Sequence, residues 1–130
     1  MLMKDSNEKD ARKQQARFWL DYSQQLSNAI RYAEALSAAE RAISLDDTNA
    51  ESWYVKGTCL AMHARYEDAL ADFERALTHD ERYAPAWDGK AWVLGILGRK
   101  AEALAAVERA LALDPDSYEA QRRKQRLEAL

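Results

Sequence analysis

The sequence predicts an all-α solenoid of stacked helical hairpins, and three observations carry that prediction. Trp19, Trp53 and Trp87 recur at a step of 34 residues (53 − 19 and 87 − 53). The same step relates Leu26, Leu60 and Leu94, then Ala35, Ala69 and Ala103, then Ala42, Ala76 and Ala110, without an insertion. Within each unit the apolar residues are spaced by three and four, the period of amphipathic helices and not of strands.

The elements follow in order. Residues 1–15 are dense in charge (Glu8, Lys9, Asp10, Arg12 and Lys13 among them) and show no apolar stripe. They are expected to be partly disordered, with the first helix extending back toward Asp10. The repeats occupy 16–49, 50–83 and 84–117. Counted from Ala16, Ala50 and Ala84, their apolar positions are 4, 8 and 11, then 20, 24, 27 and 28, which places two helices in each unit. In the second repeat these stripes are Trp53, Gly57 and Leu60, then Tyr66, Ala69, Phe73, Ala76 and Leu77. The pattern breaks at His63-Ala64-Arg65 and at Leu97-Gly98-Arg99, where Gly98 suits a left-handed helix C-cap. Between repeats it breaks at Asp46-Asp47-Thr48-Asn49, Asp80-Glu81-Arg82-Tyr83 and Asp114-Pro115-Asp116-Ser117, and Pro85 fits the first turn of its helix. Residues 118–130 read as a last helix, about the seventh, whose polar surface shields the final apolar face.

This pattern resembles the tetratricopeptide repeat family, which has Trp, Leu-Gly, Tyr, Ala, Phe and Pro at set positions. Trp53, Gly57, Tyr66, Ala69, Phe73 and Ala76 carry the resemblance best. Trp87, Ala91, Ala103, Ala110 and Pro115 carry it in the third repeat, and Trp19, Ser23, Tyr32, Ala35 and Ala42 in the first. Two departures stand out: position 7 is Tyr22, Lys56 or Lys90 where the family has Leu, and Ala39 is small where Phe73 is large. The resemblance implies a right-handed superhelix with a concave groove lined by the first helix of each repeat.

Composition narrows the function. The 130 residues are 48% hydrophobic and 32% charged with a net charge of −3, enough apolar material for a core and no field that would gather nucleic acid or an anionic membrane. No apolar run approaches the length of a membrane span, and Met1-Leu2-Met3 is too short for a signal peptide, so a cytoplasmic setting is expected. Cys59 reads as a small buried apolar residue. His63 and His79 lack partners at metal-ligand spacing, no glycine-rich phosphate loop appears, and Asp68 and Asp72 read as solvated surface. The expectation is a protein without cofactor or catalytic site.

Function then falls to the groove, which by the resemblance uses positions 2, 5, 6, 9, 12 and 13. Repeat one supplies Arg17, Leu20, Asp21, Gln24, Ser27 and Asn28; repeat two supplies Glu51, Tyr54, Val55, Thr58, Ala61 and Met62. Repeat three supplies Pro85, Asp88, Gly89, Trp92, Gly95 and Ile96, and the last helix adds Glu119, Arg122, Arg123 and Arg126. Trp92 is a second large ring beside the structural Trp87. It reads either as packed on the last helix beneath Arg122 or Arg123, or as an anchor for a guest, with Gly89 and Gly95 leaving a depression beside it. The expected partner is a protein segment with apolar and acidic residues, with self-assembly or a regulatory role in a larger polypeptide as alternatives. Some family members hold a chaperone's C-terminal carboxylate with Lys, Asn and Arg side chains. The matching positions here are Leu20, Gln24, Val55, Pro85 and Gly89, none of which keeps the required residue.

Overall fold

The structure, a computed structural model, describes the backbone of residues 2–130 and the side chains of residues 6–130. Its described residues form α1 (Leu2–Asn28), α2 (Tyr32–Leu45), α3 (Ala50–Met62), α4 (Tyr66–His79), α5 (Ala84–Ile96), α6 (Lys100–Leu113) and α7 (Tyr118–Glu128), with no strand. Helices α1/α2, α3/α4 and α5/α6 pair as hairpins, and each hairpin packs on the next through α2/α3, α4/α5 and α6/α7. The first helices also touch in series, α1 to α3 to α5 to α7, and form one wall. Contacts reach only near neighbours, the mark of a solenoid.

α1 starts at Leu2, so the first helix extends back past Asp10; Met1 lies outside the described residues. Residues 2–28 contain no glycine or proline, and Glu8–Arg12 and Asp10–Lys13 put opposite charges one turn apart.

The three turns inside the hairpins are built alike. Position 15 is left-handed in each: Ile30 at φ 62°, Ala64 at φ 60° and Gly98 at φ 78°. The next residue is an arginine whose N–H reaches back five residues at 2.9 Å, from Arg31 to Leu26, Arg65 to Leu60 and Arg99 to Leu94. This is the closing bond of a Schellman cap. Each arginine then pairs with the acid three residues on, Glu34, Asp68 or Glu102.

The repeated tryptophans pin the loops between hairpins. Trp53 and Trp87 donate their indole N–H to the carbonyls of Asp47 and Glu81, each at 2.8 Å. Lys56 and Arg75 lie over the Trp53 ring at 5.5 and 5.3 Å, and Lys90 and Arg109 over Trp87 at 5.4 and 5.2 Å. Lysine therefore takes the place of the family's leucine at position 7 because it covers the ring with charge. In repeat one Tyr22 does so with its edge, 6.1 Å from Trp19.

Small residues at positions 8, 20 and 27 are buried in every repeat and let the paired helices approach closely. Ser23 satisfies its hydroxyl by donating to the Ala35 carbonyl at 2.6 Å. Position 24 is matched in size with position 6 of the next repeat. The Phe73 ring is enclosed, and a Cβ built on Gly57 or Gly89 would stand 2.8 or 2.7 Å from it. One repeat earlier the small Ala39 shares its cluster with the larger Val55. Phe73 with Gly89 and Ala39 with Val55 are two fillings of one space.

Asp72 corrects the expectation of a solvated acidic pair. Asp68 is exposed, but Asp72 is 1% exposed, at the position held by Ala38 and Ala106 in the other repeats. Its Oδ1 accepts from Arg75 at 2.8 Å, Lys56 Nζ stands 3.7 Å from Oδ2, and Oδ2 receives no hydrogen bond. Burial pushes its pKa above the usual carboxylate value, against the pull of Lys56 and Arg75.

Candidate functional site

The wall formed by α1, α3, α5 and α7 carries the groove residues, and stacking sets equal positions of successive repeats side by side. Opposite charges at such positions meet. Arg17 donates to Glu51 at 2.9 Å and pairs with Asp21 at 3.0 Å, while Gln24 donates to the other Glu51 oxygen at 2.5 Å. Arg123 holds Asp88 with two bonds, at 2.6 and 3.2 Å, and both side chains are largely covered. These links fix one repeat to the next and neutralise two of the groove's arginines.

Four expected groove residues, Leu20, Val55, Ala61 and Gly89, are buried and not available to a guest. Leu20 is completely buried, in one core cluster with Ala38, Ala39, Val55 and Cys59. Val55 is 5% exposed, because position 6 faces the second helix of the preceding hairpin; it reaches only the floor of the groove. The expected depression at Gly89 and Gly95 is also absent as such. Gly89 is buried against Phe73, and at Gly95 a Cβ would meet Leu127 of α7 at 2.9 Å.

What remains is a groove with three recesses of different character. Between α1 and α3, about 400 Å³ is lined by Gln24, Ser27, Asn28, Tyr54, Val55 and Thr58, mostly amides and hydroxyls. Deeper along, about 310 Å³ is bordered by Tyr54, Pro85, Asp88, Asp114, Ser117 and Glu119, an acidic rim. On α7, about 350 Å³ is lined by Tyr118, Glu119, Arg122, Arg123 and Arg126.

Trp92 is half-buried, with the Arg123 guanidinium 5.8 Å from its ring centre. It thus packs against Arg123 of the last helix, one of the two readings the sequence left open, and part of its surface stays exposed. Met62 and Ile96, both at position 13, are 46% and 47% exposed and form an apolar row along the groove's edge. Arg122 donates to the Tyr118 hydroxyl at 2.7 Å and lies over that ring. Among the described residues, neither Arg122 nor Arg126 has a carboxylate within ion-pair distance.

Cys59 is buried, its thiol pushed up to about 11 by burial. His63 Nδ1 lies 2.8 Å from the Cys59 carbonyl. Among the described residues no group of three metal-binding side chains forms and no helix is long and apolar enough to cross a membrane.

Comparison with solved structures places the fold. The chain is similar to the TPR domain of Arabidopsis OM64, with a TM-score of 0.86 and 19% identity over 91% of this chain and 98% of that one. It is similar to the first TPR of Spaghetti (RPAP3) bound to the HSP90 peptide SRMEEVD, at 0.85 and 19% over 90% and 93%. The second TPR of Spaghetti, bound to the same peptide, is 26% identical, with a TM-score of 0.77 over 81% and 99%. No curated protein matches the sequence. Residues 28–86 and 84–117 each match a tetratricopeptide repeat family pattern, and together they span most of the chain. With the periodic tryptophans, the shared turn and the stacked hairpins, these matches show that the chain belongs to the tetratricopeptide repeat family.

Proposed function

We propose that the chain is a non-catalytic module that holds an extended segment of another protein in its concave groove, with an apolar side chain beside Trp92 and Ile96 and an acidic one at Arg122 and Arg126. The observation that carries this reading is a pair of arginines on α7 with no carboxylate partner, one helix along the wall from the partly exposed Trp92 of α5, in a groove whose other arginines are spent on Glu51, Asp21 and Asp88. Trp and Arg are enriched at interaction hot spots. The amide- and hydroxyl-lined recess at Gln24, Asn28 and Thr58 suits the backbone of such a segment. Trp92 and Arg126 share position 9 on neighbouring first helices, which are about 10 Å apart. An extended chain rises about 3.3 Å per residue, so the guest's apolar and acidic residues are about three apart.

TPR domains of similar fold bind HSP90 and HSP70 peptides, which supports a peptide-holding role in general. The chaperone-tail mode itself is disfavoured: of the five positions that would make the clamp, Leu20, Val55 and Gly89 are buried, Pro85 carries no charge, and Gln24 is tied to Glu51.

The test is a random peptide library panned on the purified chain. Selected peptides are expected to pair a large apolar residue with Asp or Glu about three positions away. Arg122→Glu/Arg126→Glu should weaken them about 10- to 100-fold, and Trp92→Ala about 30-fold. The peptide SRMEEVD should not displace them. Binders indifferent to both sets of changes would refute the groove.

A further inference from the structure

Among the described residues α1 packs on α2 and α3 and on no other helix, so one long face of it is uncovered. In repeats two and three the residues at positions 3 and 10 lie under the preceding hairpin: Ser52, Cys59, Ala86 and Val93 are at most 2% exposed. Their counterparts in α1 are Phe18, which is 63% exposed, and Gln25, also exposed. Tyr22, 41% exposed, lies one turn from Phe18. The other end of the solenoid differs. α7 turns Gln121, Gln125 and Glu128 outward, the polar finish that a capping helix needs.

At 100° per residue, Ala11, Gln15, Phe18, Tyr22, Gln25 and Ala29 fall within a stripe about 80° wide and about 27 Å long. All six are exposed, and none is charged, on a helix that elsewhere carries Glu8, Lys9, Asp10, Arg12, Lys13, Arg17 and Asp21. Aromatic residues at the centre of a charge-free patch are the composition of an interface core. The stripe also reads the same from both ends: Ala, Gln, aromatic, aromatic, Gln, Ala, with the members of each pair equidistant from Leu20. Such an order is self-complementary for two helices crossing antiparallel about a twofold axis. Ala11 then faces Ala29 of a second copy, Gln15 faces Gln25, and Phe18 faces Tyr22. On one shoulder of the stripe Arg17 and Asp21, both about half exposed, come beside Asp21 and Arg17 of the second copy. The aromatic pair is held in place, edge-on to Trp19 at 5.6 and 6.1 Å.

We propose that this face of α1 is a homodimer interface, in which two chains pair antiparallel through Phe18 and Tyr22 and leave both concave grooves open. The stripe is smaller than a standard interface of about 800 Å² per partner, so the dimer is weak, with Kd on the order of 100 µM.

Sedimentation equilibrium from about 10 µM to about 1 mM is expected to show a monomer–dimer equilibrium. Phe18→Glu, at an exposed position, should keep the helical content and melting temperature of the parent while weakening the dimer at least about 30-fold; Tyr22→Lys should do the same. Orientation is tested by oxidation. Gln15→Cys/Gln25→Cys should form a disulfide-linked dimer, while each single change should not, because like positions lie about 15 Å apart along the axis. Cys59 is buried and stays out of the exchange. A chain that stays monomeric at about 1 mM, a dimer indifferent to both Phe18→Glu and Tyr22→Lys, or single cysteines that cross-link as well as the pair would each overturn the proposal.

Discussion

The size matching of position 24 with the next repeat's position 6 can be tested by exchanging one filling for the other. Phe73→Ala empties a fully enclosed site and is expected to cost about 3–5 kcal/mol. Gly89→Val puts a branched side chain where even a Cβ would stand 2.7 Å from the Phe73 ring. The ring is buried on all sides and has nowhere to move, so overpacking should cost about 1–3 kcal/mol. Additive effects would bring the double variant to about 4–8 kcal/mol, near or beyond the whole stability of a domain this size. The double variant instead recreates the Ala39 and Val55 pairing of the preceding repeat. It should be destabilised by about 2–3 kcal/mol less than the sum, a coupling typical of residues in contact. Urea unfolding of the four proteins, followed by far-ultraviolet circular dichroism, gives the cycle directly, with an m-value of about 1–3 kcal/mol per molar. Additivity to within about 0.5 kcal/mol would refute the idea that these positions share one space.

Other expectations follow from single residues. Asp72→Ala places alanine where Ala38 and Ala106 already stand and removes a buried carboxylate with an unbonded oxygen; it should stabilise the chain by about 1 kcal/mol at neutral pH, or about 3 °C in Tm. Because burial raises the Asp72 pKa above its ordinary 3.8, the native parent protonates before the unfolded chain does. The parent's deficit is therefore absent below that ordinary value and appears as pH rises through the folded pKa, so the variant's advantage should shrink on acidification toward pH 4. A loss of more than about 1 kcal/mol at neutral pH would contradict this reading. Ile30→Gly should gain about 0.5–1 kcal/mol in thermal melts, since Ile30 is a β-branched residue at φ 62°, is 73% exposed, and occupies the place of Gly98. A variant melting below the parent would show that Ile30 packs against something essential.

Much of the fold was legible because its cause is periodic. The Trp step, the small residues at positions 8, 20 and 27 and the left-handed Gly98 each report a constraint that one repeat imposes by itself. Constraints between repeats were harder to read. Asp68 and Asp72 lie one turn apart, and only comparison across the repeats, where Ala38 and Ala106 hold the place of Asp72, points to the second as buried. Position 6 faces the preceding hairpin at Val55 and at Gly89 alike, and it is the large Phe73 that leaves room only for glycine in the second case. These are properties of pairs far apart in sequence. One signal was available: Arg17 and Glu51 hold the same position in adjacent repeats, and Asp88 and Arg123 nearly so. Reading opposite charges across the repeat step finds the Arg17–Glu51 bridge, but it pairs Asp88 with Arg122, one residue short of its actual partner Arg123.

The inner wall's role is tested most directly by ¹⁵N NMR titration of the chain with a peptide selected from the library. The amides of Thr58 and Arg126 and the indole N–H of Trp92 should shift together and saturate at one affinity, while the amides of α2, α4 and α6 stay in place. Shifts confined to those second helices, or to the Phe18 face of α1, would put the guest elsewhere and contradict a groove-held partner.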